Sequence, residues 1–404
     1  MRLRVTRYVV NESKCRKCYV CKTIVRCPSP NACIGCASCF LACPYEAIEP
    51  VEAEVSAREI QIKVDGERVF VPDGVTLKHA LEFVGYRFVR FPEKGENTIF
   101  TPCETGGCYA CAVLVDGKLR PLCHTAVREG MEISTDVENV EPLRIIEGFI
   151  PHSVGGVGTP WWIKGYGYIE VACFSAGCNL RCPTCQNFMV TYNSKHEPMT
   201  PEKAALILSV VRRKYGVDRM AISGGEPTLN RRWLIAFFRE LRKRNPDARL
   251  HLDTNATLLT RDYIDDLVEA GVTDIGPDLK AYTLETFQKI TGITDRELAR
   301  KYFDTAWDAV KYLLDNYYPD VFVGIGIPYN REFYPDMEEL AKFGEAIARI
   351  NPEVQVCVLD YRPEFRAHNI KRPGVNEMLR VKKILNDVGL KTVIVQTYLG
   401  HIGP

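Results

Sequence analysis

The sequence predicts an α/β chain in which a partial (β/α)6 barrel follows two small cysteine-bearing domains. Three observations carry that expectation. From residue 166 on, apolar strand-like runs at 169–173, 220–223, 250–253, 274–278, 321–327, 354–360 and 392–395 alternate with helical patterns. The helical patterns fall at 201–215, 231–244, 261–270, 296–317, 337–350 and 376–387. Apolar strands separated by helices belong to a parallel sheet covered on both faces, with the active loops after the strand C-termini. Second, the seventeen cysteines are grouped: eight before residue 44, four between 103 and 123, four between 173 and 185, and Cys357 alone. Third, the region between the first two groups shows period-two alternation around Asp-Gly pairs, as short antiparallel strands do. The expected boundaries are 1–52, 57–140, a linker over 141–165, and the barrel over 166–404.

Composition narrows the class. At 404 residues the chain is too long for one ordinary domain. An apolar fraction of 46% and a charged fraction of 25% are those of a soluble globular protein. A net charge of +1 gives no electrostatic case for nucleic acid or an anionic membrane. No stretch approaches the ~18 apolar residues of a membrane span. Arg2, Arg4 and Arg7 have no apolar h-region behind them, so a cytoplasmic location is expected. Clustered cysteines in such a chain read as metal ligands rather than disulfides.

Residues 15–43 carry Cys15-x2-Cys18-x2-Cys21-x5-Cys27-Pro and then Cys33-x2-Cys36-x2-Cys39-x3-Cys43-Pro. The segment resembles two-cluster bacterial ferredoxins, with a lengthened gap in the first run. That resemblance implies one [4Fe–4S] cube on Cys15, Cys18, Cys21 and Cys43, and another on Cys33, Cys36, Cys39 and Cys27, because the last cysteine of each run serves the other cube. Two zinc sites are the alternative, although zinc prefers separated CxxC pairs. Residues 51–57 read as a short connection.

Strands are expected over 60–64 and 69–71 around Asp65-Gly66, followed by a helix from a polar cap at Thr76 to a stop at Gly85. Then come Cys103-x4-Cys108-x2-Cys111 and, past a second hairpin at Asp116-Gly117, Cys123. This is the plant-type [2Fe–2S] spacing. Residues 57–136 resemble the β-grasp [2Fe–2S] domains of respiratory dehydrogenases and iron hydrogenases. His124, beside a ligand, reads as a surface histidine. The stretch 151–160 is a glycine-rich linker without the lysine of a phosphate loop. Trp161 and Trp162 are expected to pack it onto the next domain. Thr200 and Thr260 suit helix starts, and Gly216, Gly271 and Gly389 suit helix ends.

Within the barrel, the first strand is followed by Cys178-x3-Cys182-x2-Cys185. Three thiolates on one tight loop leave one iron of a cube open to an exogenous ligand. A zinc knuckle, or a cube closed by Cys173, would use the same residues. The second strand ends in Ser223-Gly224-Gly225-Glu226-Pro227, the third in Asp253-Thr254-Asn255, and the fourth in Asp278-Leu279-Lys280.

That order resembles the radical S-adenosylmethionine (SAM) superfamily over residues ~166–401. The Asp-Thr-Asn and Asp-Leu-Lys patterns, Lys289-Ile-Thr-Gly292 and a late Gly-x-x-x-Pro328 resemble its glycyl-radical-enzyme activases and, equally, the AmmeMemoRadiSam group. The resemblance implies that Cys178, Cys182 and Cys185 hold a cube whose open iron takes the amino and carboxylate groups of SAM. It implies that Gly224 and Gly225 leave room for the methionyl backbone, that Glu226 accepts from its ammonium, and that Asp253 and Asn255, with Ser223 contributing, bind ribose or carboxylate. Reductive cleavage would give a 5′-deoxyadenosyl radical that abstracts hydrogen, from a partner protein as an activase does or, alternatively, from a small molecule, lipid or cofactor precursor. A multi-cluster electron carrier is the rival of another class, and it leaves Gly-Gly-Glu-Pro unexplained.

Thr184 stands where an aromatic is usual, and Asp360-Tyr361 where activases often carry a histidine. Cys173 and Cys357 read as core. Gly324 and Gly326 could open space for a substrate pocket. The expected cofactors are SAM, three [4Fe–4S] clusters and one [2Fe–2S] cluster, about 14 iron atoms per chain. The expected donor is a low-potential carrier such as ferredoxin.

Overall fold

The computed structural model describes residues 2–153, 156–163 and 167–404. The chain divides into two compact units. The first holds residues 1–146 with 175–179 and 187–200; the second holds 147–174, 180–186 and 201–404.

In the first unit the strands Arg2–Val10 and Ile48–Ser56 pair antiparallel over their full length, from Arg2 opposite Ser56 to Val10 opposite Ile48. Residues 51–56 are therefore strand and not a connection. Val51, Ala53 and Val55 alternate with Glu52 and Glu54, which is the period-two signal of a strand with one wet face. Between these strands the cysteine-rich stretch carries only two single-turn helices, Val20–Thr23 and Ser38–Ala42. Lys17, Tyr19 and Ala37 take positive φ, as loops that turn tightly around a buried group require.

The five-stranded sheet that follows runs in the order Glu67–Pro72, Glu59–Val64, Glu132–Ser134, Ala112–Val115 and Lys118–Pro121. Both Asp-Gly pairs form the expected hairpins with both residues at positive φ: 47° and 91° at Asp65-Gly66, 49° and 75° at Asp116-Gly117. The helix Leu77–Phe83 starts where Thr76 Oγ1 accepts from the His79 amide at 3.2 Å. Its buried Leu77, Ala80 and Leu81 pack with Ile60, Ile62, Val71 and Val113.

The second unit is built on a nine-stranded sheet whose neighbours follow chain order. Seven of its strands, Glu170–Ser175, Arg219–Gly224, Arg249–Thr254, Asp274–Pro277, Phe322–Tyr329, Gln355–Asp360 and Thr392–Thr397, are the predicted barrel strands. From the second to the seventh each pairs parallel with the next. Ile146–His152 and the antiparallel Gly400–Ile402 add the two edges. The six predicted helices are present, together with an extra one, Leu284–Thr291.

The helices form because their apolar residues recur at one face. In Arg231–Arg244, Trp233, Leu234, Phe237, Phe238 and Leu241 are fully buried, and the Trp233 and Phe237 rings stack 4.9 Å apart. Each such side chain contributes about 1.5–3 kcal/mol on burial. Gly216, Gly271 and Gly389 end helices in the left-handed region, at φ 61°, 102° and 111°. Cys173 and Cys357 are buried without exposure, as expected of core residues. No helix among the described residues is long and apolar enough to cross a membrane.

Candidate functional site

Twelve of the thirteen cysteines of the first unit fall into three groups of four, Cys178 standing apart. Cys15, Cys18, Cys21 and Cys43 line one small hollow, and the neighbouring thiols Cys43, Cys18 and Cys15 raise the pKa of Cys21 after burial has done so. Cys36 is raised by burial and then by Cys27 and Cys33; Cys39 is pushed up to about 12 by burial, with Cys36 and Cys33 adding to it. Cys43 thus lies with Cys15, Cys18 and Cys21, the company that the ferredoxin resemblance implies for it.

The third quartet is the most enclosed: Cys103, Cys108, Cys111 and Cys123 are at most 4% exposed, and the sulfurs of Cys111 and Cys123 lie 3.6 Å apart. Cys103 is held well below the usual thiol range by hydrogen bonds from Cys108 and Cys123. Burial first, then Cys103, drives Cys108 up; Cys123 rises on its bonds to Cys103 and Cys111. Soft sulfur donors gathered in a closed four fit an iron–sulfur cluster. Arg144, fully buried, lowers the Cys108 pKa and donates to the Ala176 carbonyl at 3.1 Å.

In the second unit the predicted strand-end residues assemble at one end of the sheet. Cys182 and Cys185 share a turn in which the Cys185 amide donates to the Cys182 carbonyl at 3.2 Å. Two clasps hold it. The Arg181 amide donates to the Thr291 carbonyl at 2.8 Å, and the amides of Arg366 and Ala367 donate to Pro183 at 2.9 and 3.0 Å. The first clasp explains Lys289-Ile-Thr-Gly292: a Cβ on Gly292 would stand 2.5 Å from the Arg181 carbonyl oxygen, at φ 69°. Thr184 is buried, and its hydroxyl has no hydrogen-bond partner among the described residues.

Lys280, 7% exposed, donates to Asp278 Oδ2 at 2.8 Å and to the Tyr361 hydroxyl at 3.1 Å. Burial alone would lower its pKa, but Asp278, Tyr361 and Cys182 outweigh that and hold it well above the usual range. Burial pushes Cys182 up to about 12, while Lys280 pulls it down. A lysine ammonium thus stands near the Cys182 thiol, an arrangement that favours negative charge there.

Glu226 is fully buried. Its Oε1 accepts from the Thr228 amide at 3.0 Å, the Thr228 hydroxyl at 2.6 Å and the Thr254 hydroxyl at 2.7 Å; its Oε2 accepts from the Asn255 amide at 2.6 Å. Burial raises its pKa and these bonds oppose the rise. Four acceptor positions are about the capacity of a carboxylate. The geometry gives Glu226 the work of tying the second strand end to the third, ahead of the ammonium contact expected of it. Pro227 opens the short 3-10 turn that Glu226 caps, and Gly224 sits at φ 116°, where only glycine is unstrained. Ser223 is half-buried on the same strand end. Asn255 Oδ1 accepts from the Thr257 amide and hydroxyl at 3.1 and 2.7 Å. Asp253, one-third exposed, pairs with His251 at 3.0 Å.

Three expectations are corrected. His124 is not a surface residue: it is 9% exposed and hydrogen-bonded through both ring nitrogens. Residues 156–160, expected as part of a linker, are hydrogen-bonded to strands of the sheet. The Gly158 amide donates to the Gly324 carbonyl at 2.9 Å, Arg219 donates to the Gly158 carbonyl at 3.1 Å, and Gln355 donates to the carbonyls of Gly156 and Thr159 at 2.7 and 2.8 Å. Gly324 and Gly326 consequently leave no open pocket. A Cβ on the first would meet the Gly158 amide at 2.7 Å, and on the second Asp278 Oδ1 at 2.0 Å and Val157 at 2.9 Å. Trp162, although 62% exposed, sets its ring edge-on against Phe322 of the fifth barrel strand at 5.9 Å, so ring and backbone contacts together seat this segment as expected; residues 154–155 and 164–166 of the expected linker lie outside the described residues.

Beneath the site, Arg219 pairs with Asp274 at 2.9 Å, and Glu170 lies between His152, His251 and Arg219. Burial would raise Glu170, but those three neighbours hold it far below the carboxylate range. Burial would lower His251, yet Asp253 and Glu170 raise it to about 10.

Comparison with known proteins fits this geometry. Residues 173–344 match the radical SAM superfamily, and residues 57–138 match the 2Fe-2S iron-sulfur cluster binding domain. The chain thus carries a radical SAM domain in an α/β fold, behind a [2Fe–2S] ferredoxin-like domain. A "Probable GTP 3′,8-cyclase" of Thermoplasma volcanium is 31% identical over 132 residues, covering 33% of this chain and 39% of the relative. A GTP 3′,8-cyclase of Gloeobacter violaceus is 32% identical over 117 residues, covering 28% of this chain and 35% of the relative. The chain therefore spans well under half the length of these curated relatives. Among solved structures, archaeal TYW1 aligns at 17% identity and TM-score 0.35, covering 56% of this chain and 74% of that one. Both of these relatives are named for a reaction on GTP, so the expected activase-like branch finds no support in them.

Proposed function

We propose that the chain reductively cleaves SAM and uses the resulting radical to take a hydrogen atom from a small molecule, with electrons supplied through its own iron–sulfur domains. The observation that carries this reading is the set of strand-end residues in superfamily order, with Lys280 buried beside Cys182. The iron–sulfur group of the Cys178–Cys182–Cys185 loop, when bound, supplies a single electron to the sulfonium.

The chain's own residues do the rest. The Thr291 and Pro183 clasps fix the cysteine loop, so its thiols are pre-organised. Glu226 locks the Gly224 turn and the Asn255 loop into one edge, against which a ligand's polar groups can align. Asp253 presents a half-wet carboxylate for hydroxyl or ammonium groups, and Lys280 presents a cation for a carboxylate. Val157 and Gly158 lie against Gly276, Gly324 and Gly326, where a Cβ on any of the three would meet them within 3 Å. The names of the curated relatives point to a small-molecule substrate. A partner protein, the earlier expectation, has no observation in its favour.

The test is anaerobic. The reconstituted chain is given dithionite and SAM, with and without GTP as a first small-molecule probe, and 5′-deoxyadenosine is measured by mass spectrometry. Product that disappears in Cys182→Ala supports radical initiation, and stimulation by GTP assigns the substrate class. Fully loaded clusters without product under either condition would overturn the reading.

A further inference from the structure

The three cysteine quartets of the first unit stand in series, and the contacts between them are specific. The Cys27 quartet is joined to the Cys103 quartet through His124, which directly follows Cys123. Its Nδ1 lies 2.9 Å from Ser38 Oγ, and its Nε2 bonds the Arg26 carbonyl. Ser38 precedes Cys39 and also hydrogen-bonds Cys36; Arg26 precedes Cys27. A carbonyl only accepts, so Nε2 carries the proton and Nδ1 of the neutral ring accepts from Ser38. Ser38 is fully buried, and Gly106 makes room for the ring: a Cβ there would stand 2.7 Å from that of His124.

On its other side the third quartet abuts the loop that carries Cys178. A Cβ on Gly177 would lie 2.8 Å from the Cβ of Cys108 and 3.1 Å from that of Cys103; one on Gly107 would lie 2.7 Å from the Cβ of Ala176. Buried Arg144 ties the two, acting on Cys108 and donating to Ala176. A bypass is less direct: the Arg26 amide donates to Ser194 Oγ at 3.1 Å, but Ser194 lies well beyond Cys185 in the chain.

We propose that the Cys103 quartet stands between the N-terminal pair of clusters and Cys178, and that His124 is the residue that couples it to the Cys27 quartet. Electrons run from the Cys15 quartet, whose Cys18 is exposed, to the Cys27 quartet, then through Ser38 and His124 to the Cys103 quartet, and then past Gly177 to the Cys178 loop. Each step moves one electron and no proton: the donor cluster is oxidised by one unit and the acceptor reduced by one. The source is an external low-potential one-electron carrier. The final acceptor is the sulfonium of SAM, whose carbon–sulfur bond breaks to leave methionine and the 5′-deoxyadenosyl radical. This order rests on the iron–sulfur reading of all three quartets.

The test uses the full chain, reconstituted anaerobically, with iron and sulfide measured first. Electrons are injected by flash photoreduction with a deazaflavin, and the [2Fe–2S] centre is followed by absorbance and low-temperature EPR. In the wild type, reduction of the Cys27 cluster should speed the spin relaxation of the reduced [2Fe–2S] centre, and that centre should fill in a fast phase. His124→Leu should lose the fast phase at unchanged iron content and unchanged [2Fe–2S] g-values. His124→Gln, which keeps one donor and one acceptor, should restore it. Ser38→Ala, away from the [2Fe–2S] ligands, should also lose the fast phase, and it serves if His124→Leu fails to load. Absence of a [2Fe–2S] centre would sink the cluster reading itself. A full cluster complement with no relaxation coupling, or with an intact fast phase in both His124→Leu and Ser38→Ala, would overturn the route alone.

Discussion

Gly158→Ala tests whether residues 156–160 are packed against the sheet. Gly158 and Gly216 share the same φ of 61°, so alanine meets the same left-handed penalty at both positions, about 1–2 kcal/mol. Their surroundings differ completely. At Gly216 a Cβ meets nothing within 4 Å; at Gly158 it meets His251 Nε2 at 2.0 Å and the Gly276 Cα at 2.9 Å. The ring cannot swing aside cheaply, because Glu170 and Asp253 hold it at 3.3 and 3.0 Å, and Gly276 is backbone in a paired strand. Forced overpacking of this kind adds about 1–3 kcal/mol. Scanning calorimetry of the two variants, at equal cluster load, should place Gly158→Ala about 2–12 °C below Gly216→Ala, taking about 2–4 °C per kcal/mol for a unit of this size. Equal melting temperatures would mean that the segment is not packed against the sheet.

The buried pairs set a stability window in pH. His251 is raised to about 10 in the fold, so its contribution is complete below its ordinary value near 6.5 and is lost as pH climbs toward 10. Glu170 is depressed, so its contribution is present above about 4.3 and is lost as pH falls below that. Melting temperature against pH should therefore decline on both sides, and His251→Gln should flatten the alkaline limb; an unchanged limb would refute the assignment. Lys280→Met strands Asp278, which is about a quarter exposed, so the loss should be about 2–3 kcal/mol, below the 3–5 of a fully buried pair. Urea unfolding of Lys280→Met against Asp278→Asn/Lys280→Met checks this, and no recovery in the double variant would count against the pair.

What could be read from the sequence was what side chains announce. Cysteine spacing groups the twelve cysteines before residue 124 in fours, and the ferredoxin resemblance implies the crossing of Cys27 and Cys43; in the fold Cys43 lines one hollow with Cys15, Cys18 and Cys21. Alternating apolar runs locate the seven strands and the order of their polar ends, since each strand buried on both faces must be apolar. Glu226 was recognisable as a site residue, but its partners were not: Thr228 and Thr254 look like ordinary loop hydroxyls until the strand ends meet. His124 was misread because nothing in its neighbours states that Ser38, 86 residues away, would cover it.

The larger misreadings share one physical cause. Residues 156–158 and the contacts of Gly106, Gly107 and Gly177 are made by backbone approaching backbone or ring, at separations a single methyl would forbid. Glycine has no side chain to give a hydropathy period, so a glycine-rich run looks the same whether it is a loose connection or the tightest packing in the fold. The two can be told apart only by what fills the missing Cβ position. At Gly66, Gly117 and Gly216 that space is open and the residue serves a turn; at Gly158 and Gly177 it is filled by His251 and by the ligand cysteines. The same absence of a side chain that hides these segments from sequence reading is what lets Val157 and Gly158 lie against Gly276, Gly324 and Gly326 and lets the Cys103 quartet approach the residue before Cys178.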